Sequence, residues 1–309
     1  MTESSMPPRP FLNRLFLSPE ERRLRAGWRL ALQLIWMAAL LGIFSLPLEL
    51  LTRLRTGRLL QTTLFIASII AFLAITVSVY LARRILDQRS FASLGIQRST
   101  RGWRDLFFGF GLSGLLMGLV FLVEWAAGWL RFDGFAWHMQ SWSWVVEGFL
   151  GSAIVFVLVG WYEELYFRGY LLQNLSDGLN LALGVSLSAA IFALSHSANP
   201  NLTWEALVGL FASGLFLAYG YLRTHQLWLP IGLHIGWNFF EGTIFGFQVS
   251  GLGYFRLIEQ TSLGPSLTTG GAFGPEAGLI ILPAILLGAA LIYLYTRNHQ
   301  HTTAALTSI

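Results

Sequence analysis

Residues 150–172 read LGSAIVFVLVGWYEELYFRGYLL. The first half of this stretch carries no charge. The second half sets Glu163, Glu164 and Arg168 among aromatic and aliphatic side chains. An apolar run that extends over about 20 residues is long enough to cross a bilayer as a helix. Ionisable groups at such depth are costly and face a partner or a hydrated cavity. The stretch therefore predicts a membrane helix that carries a polar site.

The rest of the chain agrees. Of 309 residues, 54% are hydrophobic and 12% charged, and the mean hydropathy is +0.59. Soluble domains average about 25% charged residues. Seven further apolar stretches accompany the first, which extends over 144–174. They lie near 29–51, 62–81, 106–129, 181–196, 206–222, 227–247 and 278–295. The fold class read from this pattern is all-α, a polytopic transmembrane bundle of about eight helices. The expected divisions are a basic N-terminal segment over 1–28, membrane helices over 29–140, a core over 141–250, and a loop, last helix and tail over 251–309. The Gly-, Ser- and Thr-rich segment 248–277 reads as an external loop or re-entrant piece. Residues 17–30 read as either a surface amphipathic helix or a solvated basic tail.

Cysteine is absent, which excludes disulfides, thiolate metal sites and a thiol nucleophile. The net charge of +4 comes with no lysine, so all 20 basic residues are arginine. They flank apolar runs rather than forming a stripe with interleaved aromatics. That placement points to a lipid-bilayer partner and away from nucleic acid. Arg9 to Arg29, Arg83 to Arg104, Arg168, Arg223 and Arg297 would share one side of the membrane. Arg53, Arg55, Arg58, Arg131 and Arg256 would lie on the other. The bias predicts cytoplasmic termini in a multi-pass protein of the cell membrane.

Spacing narrows the roles of the polar groups. Glu164 and Arg168 are four residues apart and share a helix face. Glu163 is rotated by about 100° and is free to meet another group. His196 closes the run AAIFALSH, and His234 and Asn238 stand four apart in PIGLHIGWNFFEG. With a turn at 175–180, Glu163 and His196 lie roughly 18 and 22 Å from it, at similar heights on antiparallel helices. A carboxylate and an imidazole around a cavity water make a general-base device. His234 and Asn238 are suited to donate to a developing oxyanion.

In order, EE-x-x-x-R (163–168), F-x-x-x-H (192–196) and H-x-x-x-N (234–238) resemble the three motifs of the CAAX-protease and bacteriocin-processing family of intramembrane peptidases. The resemblance covers about residues 145–245. It implies that Glu163 acts with His196 on water, that Glu164 and Arg168 support the site, and that His234 and Asn238 stabilise the oxyanion. It implies an intramembrane endopeptidase acting on a membrane-associated peptide or protein substrate, lipidated or simply hydrophobic.

Two chemistries are open at this level. Either no cofactor is used, or zinc is held by Glu163, His196 and His234, a three-ligand set that leaves a position for water. The motifs lack the one-helix H-E-x-x-H pair. Each motif alone also has a structural reading, as an ion pair, an interfacial histidine or interhelical hydrogen-bond glue. At the level of function, the rivals are a proton-coupled transporter and a non-catalytic scaffold or immunity factor. The absence of an internal repeat counts against the transporter. Glu124 and Glu147 are expected near interfaces, and Glu241 at the edge of the same cavity. Gly232 and Gly236 are expected to permit close helix packing.

Overall fold

The structure is a computed structural model that describes residues 11–18, 23–53 and 59–297. Arg55 and Arg58, most of the N-terminal segment and the end of the C-terminal tail lie outside the described residues.

Each expected apolar stretch is helical. Following the short α1 (Phe11–Phe16), the chain forms α2 (Ala26–Arg53), α3 (Leu59–Ile85) and α4 (Thr100–Ala126). The strand β1 (Leu130–Phe135) and the turn α5 (Ala136–Met139) lead to α6 (Trp142–Glu164). A π segment, Leu165–Leu171, and α7 (Leu172–Gly178) continue the same helix. Then come α8 (Leu181–Ser195), α9 (Trp204–Thr224) and α10 (Trp228–Asn238), the last extended by a second π segment, Phe239–Ile244. The strand β2 (Ile258–Ser262), α11 (Ser266–Thr269) and α12 (Ile281–Thr296) complete the chain. By length and composition, five helices can cross a membrane: those within 26–46, 63–85, 100–126, 142–178 and 204–224. The outer surface has the polarity of a lipid-facing one: Leu115, Leu122, Leu150, Ile154 and Leu286 are all more than a third exposed. The chain is a multi-pass membrane protein of the all-α class.

Polar caps set several helix starts. Ser99 accepts from the Gly102 N–H, Asn180 from Leu183 and Thr203 from Ala206. Each satisfies a backbone donor left free by the first turn. Asn180 also shortens the expected turn at 175–180, because the preceding helix runs on to Gly178.

Two contacts position the site. The first is the packing of α10 on α4. A Cβ on Gly232 would stand 2.0 Å from the Leu106 carbonyl oxygen, so only glycine allows this approach. The Ser113 hydroxyl donates to Leu233 O across the same seam at 2.7 Å. The second is a buried ion network. Asp87 accepts from Arg29 and Arg83, both at 2.8 Å. Arg83 reaches on to Gln173 Oε1 at 3.0 Å. The network joins α2 and α3 to α7, and so fixes the C-terminal end of the helix that carries Glu163.

Two expectations change and a third gains detail. Residues 17–30 are not one amphipathic helix: Leu17 and Leu24 pair as an antiparallel bridge, and α2 begins at Ala26. Segment 248–277 is no plain loop. Its β2 pairs antiparallel with β1, and Phe255 and Phe273 are buried. Glu124, expected near an interface, stands two residues before the end of α4 and is fully buried in the protein; the chain folds back just beyond it at Trp129, whose N–H donates to Glu124 O at 2.8 Å.

Candidate active site

Glu163 and Glu164 are the last residues of α6, just before the backbone widens into the π segment. Such segments recur at functional sites. Asn238 precedes the second π segment in the same way. The Glu163–Glu164 pair and Asn238 therefore both stand where a helix changes pitch.

Glu164 and Arg168 are completely buried and paired. Arg168 Nη1 donates to Glu164 Oε1 at 2.7 Å, and Nη2 donates to Gly214 O of α9 at 3.1 Å. The guanidinium also lies over the Phe192 ring, 4.5 Å from its centroid. The same Glu164 oxygen stands 2.7 Å from His234 Nδ1. A carboxylate oxygen only accepts, so Nδ1 carries a proton. The ring is thereby oriented with Nε2 towards Glu163 Oε2, at 3.7 Å. That distance is too long for a direct hydrogen bond. The Glu163 side chain is 17% exposed, against none for Glu164. Of the adjacent pair, Glu163 is the accessible carboxylate and Glu164 the supporting one.

His196 caps the C-terminus of α8. Its Nδ1 lies 2.9 Å from Phe192 O, a carbonyl that only accepts. Nδ1 therefore carries a proton, and in the neutral ring the lone pair is on Nε2. Phe192 serves the site twice, through this carbonyl and through a ring packed edge-on to both His196 and His234.

Glu163, His196, His234 and Asn238 line a common cavity of about 300 Å³. Tyr162 and Tyr254 complete its polar wall, and α3 supplies Leu64, Ala67 and Ala71. Glu164 and Arg168 lie behind it. The six residues singled out by spacing thus divide into four that face the cavity and two that hold them.

Glu163 and His196 line the same cavity, where the expected general-base pair would meet around a water rather than directly. No hydrogen bond joins them among the described residues, and the nearer imidazole is that of His234. Nor do the zinc candidates gather: among the described residues, no three His, Asp or Glu side chains converge as a metal site. The set Glu163, His196 and His234 does not fit a bound zinc in this geometry, and no step is drawn through one.

Sequence reasoning missed Glu276, Ser250 and Tyr254, which line the cavity from beyond the third motif. The one signal for Glu276 was an acid placed just before the last apolar helix. Glu241 is fully buried, as its apolar setting demands, but it is not part of the cavity wall.

Residues 144–240 match the family described as type II CAAX prenyl endopeptidase Rce1-like. This segment is Rce1-like. It contains all three motifs, so the resemblance drawn from their order holds over the residues that carry it. The Rce1-like segment ends before Ser250 and Glu276. The chain is also similar to YyaK of Bacillus subtilis (strain 168), a protein described as uncharacterized. The two are 28% identical over 191 residues, which cover 57% of this chain and 59% of YyaK. The similarity thus spans less than two thirds of that relative's length.

Proposed function

We propose that this protein is an intramembrane endopeptidase that hydrolyses a peptide bond of a membrane-associated substrate with a glutamate-activated water. The carrying observation is the shared cavity. It sets one accessible carboxylate, two oriented imidazoles and an amide side chain around a space that a water and an amide bond can enter. The Rce1-like segment supports a protease of the CAAX type in general.

In this reading, Glu163 takes a proton from water, assisted by the His196 Nε2 lone pair. The oxygen attacks the amide carbonyl. His234 and Asn238 then donate to the oxygen as its charge grows, the usual large electrostatic contribution in acyl transfer. Collapse of this intermediate breaks the C–N bond, and the proton held by Glu163 passes to the departing amine. Glu163 and Glu164 supply the counter-charge for an imidazolium at His234, the form that donates from both nitrogens. Glu164 and Arg168 act as positioning residues, because they reach the cavity only through His234 and the helix frame.

The substrate is apolar near the cleaved bond. A second cleft of about 230 Å³, lined by Phe65, Trp144, Val155 and Phe255, shares Leu64 and Tyr254 with the reaction cavity. It offers a path for a hydrophobic or lipidated chain between α3 and α6. The arginine bias assigns both termini to the cytoplasmic side of the cell membrane.

The test is mass spectrometry of a hydrophobic peptide, with and without a prenyl group, incubated with the protein in proteoliposomes. Hydrolysis gives two fragments whose masses sum to the substrate plus one water. Intact peptide together with proton-dependent flux would favour a transporter and overturn the reading.

A further inference from the structure

The reaction cavity has a second acid, buried at its wall, that belongs to none of the three motifs. Glu276 is 5% exposed and lines the cavity with His234 and Asn238. It lies within electrostatic range of both His196 and His234.

Its placement is built rather than incidental. Glu276 sits on the tight turn Pro275–Ala277, pressed against α9. A Cβ on Gly209 would stand 1.7 Å from Glu276 O, so the approach requires glycine there. The carboxyl is held by Ser250, whose hydroxyl donates to Oε2. Ser250 has φ +48, a left-handed conformation that a serine rarely adopts. Its carbonyl accepts from Asn199 Nδ2 at 2.8 Å, three residues beyond His196. The next residue, Gly251, donates its N–H to Phe273 O at 2.7 Å. A strained non-glycine residue thus ties together the His196 turn, the Glu276 turn and the cavity wall. Observed backbone strain of this kind clusters at functional sites.

The other acid of the cavity also matters. Glu163 faces the same space, and no arginine lines it, since Arg168 is consumed by Glu164 and Gly214. A peptide in the cavity therefore meets two carboxyl groups. Main-chain N–H groups suit such a pair, whereas a free terminal carboxylate does not.

Building on the peptidase reading above, we propose that Glu276, oriented by Ser250, is a substrate-binding residue that holds a main-chain N–H on the leaving-group side of the scissile bond. The cavity consequently favours a bond internal to the chain over one next to a free C-terminus.

The experiment measures binding rather than turnover. The full-length protein carrying Glu163→Gln is purified in detergent and titrated with a fluorescein-labelled hydrophobic peptide blocked at its C-terminus as an amide. Adding Glu276→Ala weakens binding about tenfold, as loss of a charged hydrogen bond does. Adding Ser250→Gly removes the hydroxyl but suits φ +48, so affinity falls while the melting temperature holds or rises. The free-acid form of the peptide binds less tightly than the amide, and Glu276→Ala narrows that difference. If Glu276→Ala leaves Kd within twofold in folded protein, or lowers only the melting temperature, the residue is structural and the proposal falls. Absence of turnover in the wild type would sink the hydrolase reading without touching this result.

Discussion

A single oxygen, Oε1 of Glu164, organises the candidate site. It accepts from Arg168 and from His234, both at 2.7 Å. Replacing Arg168 by Ala leaves that carboxylate buried without its cation. Breaking a buried pair in this way costs about 3–5 kcal/mol. The expected result is a clear drop in the detergent-solubilised melting temperature and loss of cleavage. Arg168→Lys keeps the charge but cannot reach Glu164 and Gly214 O together, so it recovers stability only in part. A variant with wild-type stability and turnover would remove Arg168 from the frame. This pair was legible from the i, i+4 spacing, and so was the division of labour between the two glutamates. The link to His234 was not, because no spacing rule reports which face of α10 meets α6. Glu276 was less legible still. Its entry depends on a backbone contact with Gly209, which is distant in sequence.

At the scale of elements, the helix α10 carries two of the five motif residues that line the cavity, and its position is set by contact with α4. Gly232→Ala would drive a methyl group into the Leu106 carbonyl. Overpacking of this kind costs about 1–3 kcal/mol. It also displaces His234 and Asn238 relative to Glu163. Turnover is therefore expected to fall more steeply than stability, as read by paired cleavage and thermal-unfolding assays. A stability loss with kcat unchanged would show that the site tolerates movement of α10. Apolar length located these helices in the sequence, and Gly232 and Gly236 announced a close contact. The π segments left no trace in the pattern, since a change of pitch over one turn barely alters hydrophobic spacing. The pairing of β1 with β2 was hidden because Ile258–Ser262 lies in a segment whose composition reads as loop.

On the scale of the whole molecule, two devices hold the bundle around its cavity. On one side, Asp87 joins α2, α3 and α7 through Arg29 and Arg83. On the other, segment 248–277 folds back to close the cavity. Asp87→Ala would take the buried Arg83 from its carboxylate and leave Arg29 only the longer contact to Asp177, with an expected cost of about 3–5 kcal/mol. Because the network is remote from the cavity, the fraction that stays folded should keep the wild-type kcat. A selective loss of kcat at full stability would mean that the network tunes the site directly. The membrane class was plain from composition, as was the order of the three motifs, and the match over residues 144–240 agrees with both. Metal ligation was a fair reading of residue types, but the geometry does not gather Glu163, His196 and His234 around one point.

The central claim is that the accessible glutamate activates water. The most direct measurement compares cleavage of one hydrophobic peptide by the wild type and by Glu163→Gln, a change that keeps size and removes the base. Loss of a general base costs about 10²–10⁴-fold in rate. The account predicts a fall of that size in kcat with peptide binding retained; equal turnover by the two proteins would contradict it.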